Sequence, residues 1–357
     1  MPCAFMILLL AMAAADSTVP AQLDAILKDY GRDDRGGAPG ASVLVAQDGK
    51  VLYRKAFGLA NLEERTPITT ATNFRLASVT KQFTATAVLL LAERGKLSLD
   101  DPLTRFFPGF ATAAHRVKVR HLLGHTSGLP DYEDLIPPGT TVPLKDKDVL
   151  DLVGRQDRLY FAPGSQFRYS NTGYALLALI VEKISGRSFA QFLEENIFDP
   201  LGMAGTVAYE EGISKVERRA YGYSEKDGRF ERTDQSLTSS VLGDGGIYSS
   251  VEDLWLWDQA LYGTRLLPAE TLAMAFQAGT PTSDQPGSGY GYGWYVASHG
   301  GHRGTRKVWH YGETLGFSTY LARYPDKRLT IIMLTNRNDN FLGPTVDRIA
   351  DVILATP

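Results

Sequence analysis

Cysteine is nearly absent: among 357 residues the only one is Cys3. A chain cut after Ala15 would hold none, which excludes a disulfide, a thiol nucleophile and a cysteine-based metal centre from everything downstream. Charge of one sign is missing too. Thirty-seven Lys and Arg stand against 40 Asp and Glu, a net charge of -3, so no basic face is set aside for nucleic acid. The first fifteen residues, MPCAFMILLLAMAAA, carry no charged side chain. Ala4 to Ala15 is an apolar run as long as a secretory h-region and too short to span a bilayer. Ala13-Ala14-Ala15 before Asp16 fits a cleavage site, although the n-region lacks Lys and Arg. Residues 1–15 are therefore read as a signal peptide. The mature chain is expected to be exported, periplasmic or secreted, with no stable membrane anchor.

Several enzyme signatures are also lacking. No serine lies in G-x-S-x-G, which argues against an α/β-hydrolase. His121 and His125 have i, i+4 spacing but no H-E-x-x-H pattern, and His299 and His302 have no acidic companions, so no metal is expected. The stretch GDGGIY has no Gly-Lys-Ser/Thr ending of a phosphate loop and reads as a tight turn near a cleft. No cofactor is called for.

The composition, 44% hydrophobic and 22% charged, is that of a globular chain with ample core. Near the N-terminus, ASVLVAQDGKVLYRKAFG places two β-rich runs around Asp48-Gly49, a hairpin signal. Near the C-terminus come GWYVAS, KVWHYG and FSTYLARYPDKRLTIIMLTN, the last broken at Pro325-Asp326, and then a closing helical pattern, PTVDRIADVILAT. YGYGWYV reads as core strand rather than a substrate platform. Between the ends lie helical patterns. Residues 82–94 form one, stopped by Gly95. GYALLALIVEKISG is another, stopped by Gly186. SSVEDLWLWDQAL opens with Ser249 and Glu252 at capping-box spacing. The ends are expected to pair into one antiparallel sheet. This predicts an α+β fold, a single domain over residues 16–357. Its sheet lobe covers about 16–77 and 290–357, a helical lobe of about 78–289 is inserted, and the cleft lies where they meet.

Three short motifs point to chemistry. In FRLASVTKQFTA, Ser78 and Lys81 are three residues apart where a helix begins, hence on one face. A serine hydroxyl needs a base beside it to attack, and a lysine made neutral by burial or a nearby cation can be that base. The plain structural alternative is an N-cap serine before a surface lysine. In FAPGSQFRYSNTGYALL, Tyr169 can relay a proton and the Asn171 amide can hold a substrate carbonyl. Alternatively, Asn171 caps the helix and Tyr169 packs. H-x-G occurs three times, but only His310-Tyr311-Gly312 lies between two β-rich runs. Gly312 would let a substrate backbone approach the strand edge, and such an edge offers N–H groups for an oxyanion.

Ser78-Val79-Thr80-Lys81, Tyr169-Ser170-Asn171 and His310-Tyr311-Gly312 together resemble the three motifs of the serine β-lactamase and penicillin-binding protein superfamily. The Y-x-N and H-x-G forms resemble its class C β-lactamase branch, which includes D-alanyl-D-alanine carboxypeptidases, D-aminopeptidases and esterases. HLLGHTSGLPDY and GDGGIYSSVEDLWLW look like family signatures as well, and the resemblance covers roughly residues 20 to 355. It implies a β-lactamase/transpeptidase-like fold, its sheet flanked by the N- and C-terminal helices. Ser78 would be the nucleophile, Lys81 its base and Tyr169 a general acid or base. Asn171, His310 and Gly312 would bind substrate, His310 by meeting a carboxylate or by polarising Tyr169. The Ser78 and Glu313 N–H groups would form the oxyanion hole. Two departures stand out: a histidine at 310 where many lactamases have lysine, and Glu313 where relatives often carry a small residue. The expected partner is a small ester or peptide substrate. The expected activity is a cofactor-free serine hydrolase, with a β-lactamase, or a penicillin-binding-type protein that acylates with little turnover, as alternatives.

Overall fold

A computed structural model describes residues 18–31, 37–298 and 302–355. The expected signal peptide, Cys3 and His299 lie outside the described residues. Seven strands build the main sheet: β1 (Ala41–Gln47), β2 (Lys50–Phe57), β3 (Gly289–Tyr290), β4 (Tyr295–Ala297), β5 (Lys307–Thr314), β6 (Phe317–Tyr324) and β7 (Leu329–Thr335). Asp48 and Gly49 both have positive φ, 51° and 75°. That is what a two-residue turn matched to the strand twist requires.

The strand order is β3-β4-β5-β6-β7-β1-β2, antiparallel throughout. Ala41 faces Thr335 and Gln47 faces Leu329, so the two ends of the chain meet in the middle of the sheet. β6 and β7 are buried at every position, as strands covered on both faces must be.

Five longer helices complete the frame: α1 (Val19–Gly31), α2 (Lys81–Glu93), α3 (Asn171–Ser185), α4 (Val251–Ala260) and α5 (Gly343–Ala355). The terminal helices α1 and α5 pack on each other beside the sheet. All residues of α2 from Lys81 to Leu91 are buried; it is the central helix, packed on α3. A helix enclosed on all sides needs no polar stripe. Gly95 and Gly186, at φ 65° and 70°, end α2 and α3 as expected.

Two expectations shift. The N-cap of α4 is Ser250, whose side chain accepts the Asp253 N–H. Ser249 instead ends a short strand, its Oγ 2.7 Å from Thr206 Oγ1. Helix α4, expected in the inserted lobe, packs on β1 and β7. An ion pair ties it to β6 as well: Asp258 accepts from Arg323 at 2.6 Å, with both side chains buried.

Candidate active site

The strand Phe74–Arg75 pairs with Ile247–Ser249 and then bends sharply. Ala77 sits at φ 47°, a left-handed conformation that costs a residue with a Cβ about 1–2 kcal/mol. The bend starts a short 3-10 turn, Ala77–Thr80, that runs into α2. It leaves Ser78 half-buried at the surface of a cleft, while Lys81, one turn on, is 0% exposed.

Lys81 Nζ is bonded to three groups: Ser78 Oγ at 2.9 Å, Asn171 Oδ1 at 2.8 Å and the Asp244 backbone carbonyl at 2.8 Å. None of these three acceptors is charged. Burial therefore pulls the amine below its ordinary range, and the Asp244, Asp131 and Glu133 carboxylates oppose this only from a distance. The carboxylate of Asp244 faces away, accepting from Tyr132 Oη at 2.9 Å, and burial raises it.

Asn171 is the first residue of α3, and its side chain does not cap the helix. Asp131 does so from another loop, accepting the Asn171 N–H at 2.6 Å. The Asn171 amide is instead held at both ends, its Oδ1 by Lys81 and its Nδ2 by Glu133 at 3.0 Å. One Nδ2 hydrogen is left for a ligand. Tyr169 stands beside this cluster with Lys81 Nζ 5.0 Å from its ring centre. Its hydroxyl is buried and makes no hydrogen bond of ordinary geometry. Burial raises it well above the usual phenol range, against a smaller opposing effect of the Ser78 hydroxyl.

His310 differs from what its position suggests. Its Nε2 lies 2.8 Å from Tyr290 Oη and its Nδ1 2.7 Å from the Tyr311 carbonyl. The carbonyl can only accept, so Nδ1 carries the proton and Nε2 accepts from Tyr290. Burial, with Lys81 nearby, pushes the imidazole down to about 3. Neutral and with both ring nitrogens engaged, His310 has no charge to offer a substrate carboxylate. Its ring centre is 6.2 Å from that of Tyr169.

Gly312 has a structural reason to be glycine. A Cβ there would lie 2.2 Å from the Leu76 carbonyl and 2.9 Å from the Ser78 nitrogen. The Leu76–Ser78 backbone of the same chain makes this close approach. By strand order β5 is internal, but β4 reaches only as far as Trp309. Residues 310–314 are thus a local edge, facing the Ser78 turn. The cleft between is lined by Ser78, Tyr132, Glu133, Asn171, Asp244, Glu313 and Thr314 among others.

The motifs Ser78–Lys81, Tyr169–Asn171 and His310–Gly312 therefore converge. Sequence reasoning missed the roles of Asp131, Tyr132, Glu133, Asp244 and Tyr290. Asp131, Tyr132 and Asp244 lie in stretches singled out as signatures, but nothing local shows which atom they hold. Tyr290 is both core strand, as expected, and the partner of His310. The histidines His121 and His125 are structural: His121 Nδ1 accepts the Lys118 N–H and His125 Nδ1 the Ser170 N–H. Among the described residues no group of three or more His, Cys, Asp and Glu is placed to hold a metal ion.

Comparison with known proteins supports the same frame. The profile of the family described as Beta-lactamase matches residues 23–355. Penicillin-binding protein 4* of Bacillus subtilis (strain 168) is 37% identical over 315 residues, 84% of this chain and 68% of that protein. The chain spans about two thirds of the length of the curated relatives it matches. Among solved structures, the octameric penicillin-binding protein homologue from Pyrococcus abyssi superposes with a TM-score of 0.83 at 28% identity, covering 94% of this chain and 77% of that one. The D-amino acid amidase from Ochrobactrum anthropi SV3, complexed with L-phenylalanine amide, gives 0.80 at 26% identity, covering 94% and 98%.

Proposed function

The chain belongs to the β-lactamase family of serine hydrolases, and on that premise we propose that it works through an acyl-enzyme on a small amide or ester bearing a free amino group. The observation that carries the reading is the Lys81 amine, buried, uncharged in its contacts and 2.9 Å from Ser78 Oγ. A neutral amine has two N–H donors and one lone pair. The donors go to Asn171 Oδ1 and the Asp244 carbonyl, which turns the lone pair to the serine O–H. Ser78 attacks the carbonyl carbon as its proton passes to Lys81. The Ser78 and Glu313 backbone N–H groups take the oxyanion. Tyr169, held neutral by burial, gives its proton to the leaving amine or alcohol and regains one from Lys81. Water then reverses the steps and frees the acid.

The charge of the cleft supports an amine-bearing substrate. Glu133 and Glu313 line it. The Arg75 guanidinium, also at the cleft, is engaged by the Gly245 carbonyl, Gln235 Oε1 and the Ser239 carbonyl. With Lys81 buried and His310 neutral, the carboxylates of Glu133 and Glu313 stand against one guanidinium whose hydrogen bonds are already taken up, a balance that favours an ammonium over a carboxylate. The likeness to a D-amino acid amidase suggests a D-residue on the acyl side. A β-lactam, which carries a carboxylate, is disfavoured by the same charges, both for a β-lactamase and for a penicillin-binding-type protein with little turnover.

A fluorophosphonate probe is expected to label Ser78, and Ser78→Ala to lose both labelling and turnover with its thermal midpoint nearly unchanged. Labelling that persists in Ser78→Ala refutes the assignment. D-aminoacyl anilides and p-nitrophenyl esters are expected to turn over faster than nitrocefin; the reverse order would point to a lactamase.

A further inference from the structure

Helix residues Asp146–Gly154 begin with a carboxylate that is 8% exposed. Its two oxygens accept from the backbone N–H groups of Leu242 at 2.9 Å and Gly243 at 3.0 Å. These open the single helical turn Leu242–Gly245, where N–H groups have no partner within the turn. The inner side of the same turn faces the active site. Its Gly243 carbonyl accepts from Thr84 Oγ1 at 2.6 Å, and its Asp244 carbonyl accepts from Lys81 Nζ at 2.8 Å. There is no slack: a Cβ on Gly243 would lie 2.3 Å from the Tyr174 carbonyl of α3.

We propose that Asp146 is a positioning residue for Lys81, acting through the Leu242–Gly245 turn. The inference rests on the reading of Lys81 as the base. Asp146 pulls on the N–H side of the turn while Lys81 and Thr84 hold its carbonyl side, so the carboxylate sets where the Asp244 carbonyl meets the amine. That carbonyl is one of the two acceptors that turn the Lys81 lone pair to Ser78. The back of the turn borders a cavity of about 350 Å³ lined by Val142, Lys145, Leu179, Glu182, Tyr209 and Glu210. Without these two hydrogen bonds the turn is free to relax toward that space, which moves the acceptor away from the amine.

Asp146→Asn tests this. It keeps the size but presents an amide N–H to one of the two backbone donors. The expected result is a kcat lower by roughly tenfold to a hundredfold, the scale of a small misplacement of a catalytic group. KM should stay within about twofold, and the rate of fluorophosphonate labelling at Ser78 should fall in parallel with kcat. Asp148→Asn is the control. Asp148 lies in the same first turn and accepts the Lys145 N–H at 2.8 Å, so its loss perturbs the helix but not the Leu242–Gly245 turn, and kcat should hold. An unchanged kcat in folded Asp146→Asn overturns the proposal, as does an equal fall in Asp148→Asn. Should Asp146→Asn not be recovered folded, Asp146→Ser, which keeps one acceptor, is judged by the same criteria. Lys81→Ala measured alongside separates the two readings. If it retains kcat, the base assignment fails; if it is inactive while Asp146→Asn is unimpaired, only the positioning role fails.

Discussion

Two lysines are buried among the described residues, and only one of them is poised to react. Lys81 is 0% and Lys307 7% exposed, and burial lowers both amines. Their partners differ. Lys307 Nζ meets a carboxylate, Asp347 on α5, at 2.7 Å, and lies 5.0 Å from the ring centre of Trp309 and 5.4 Å from that of Tyr320. The adjacent anion favours the ammonium; aromatic faces do not separate the two, because Lys81 Nζ lies as near, 5.0 Å from the ring centre of Tyr169 and 5.6 Å from that of Tyr174. Lys81 hydrogen-bonds only to neutral oxygens, and its carboxylate neighbours each turn to another group. Burial makes an amine expensive to protonate; the nearest partner decides whether that cost is relieved. Lys307 ties the sheet to its terminal helix, while Lys81 is left able to accept a proton.

The strongest way to break this comparison is to remove each amine. Lys81→Ala is expected to lower kcat by at least about a hundredfold, the low end for a general base, with KM moving much less where acylation limits the rate. Lys81→Arg should be nearly as poor, because a guanidinium does not deprotonate in proteins. Lys307→Met should keep kcat within about twofold of wild type. Steady-state kinetics on one working substrate decides it: an undiminished kcat in Lys81→Arg, or a hundredfold loss in Lys307→Met, erases the distinction.

The pH profile sharpens it. The rate should rise with pH as Lys81 loses its proton, with a half-point below the roughly 10.4 of a free lysine, and Lys307→Met should leave that half-point in place. His310, already neutral, should add no inflection near pH 6.5. The sign for stability follows from the same lowering. Between the lowered folded value and about 10.4 the unfolded chain binds more protons at both sites, so both contribute stability that increases with pH across that window. A kcat profile flat from pH 6 to 10 would count against a titrating Lys81.

The smallest expected effect is on folding. Lys307→Met leaves Asp347, whose side chain is 39% exposed, without its ammonium. Because water can reach that carboxylate, the loss should be about 1–2 kcal/mol, below that of breaking a fully buried pair. Urea unfolding at pH 7 measures it. No loss would mean the ion pair contributes nothing beyond the packing of the lysine stem.

Much of the scaffold was legible in the chain. Asp48-Gly49 announced its hairpin because two successive positive φ values suit few other pairs. Gly95 and Gly186 marked helix ends for the same reason. The α4 cap was misplaced by one residue because Ser249 and Ser250 offer the same hydroxyl, and only the pairing of Ser249 with Thr206 chooses between them. At the site, the resemblance brought three motifs to one place, yet the surface packed against Gly312 is the chain's own backbone. Close approach requires glycine whichever surface arrives, and sequence does not say which one does.

What the sequence determined by itself was local. Ser78 and Lys81 share a face because three residues make one helical turn, and His310 lies on a strand because β-rich runs flank it. What only the tertiary structure decided was the state of those groups. The amine of Lys81 is shaped by Asn171 and Asp244, 90 and 163 residues away. The charge and tautomer of His310 are set by burial together with the hydroxyl of Tyr290, 20 residues earlier. Desolvation and hydrogen-bond partners are properties of the space around a group. That space is assembled from distant parts of the chain, and no stretch of sequence around Lys81 contains it.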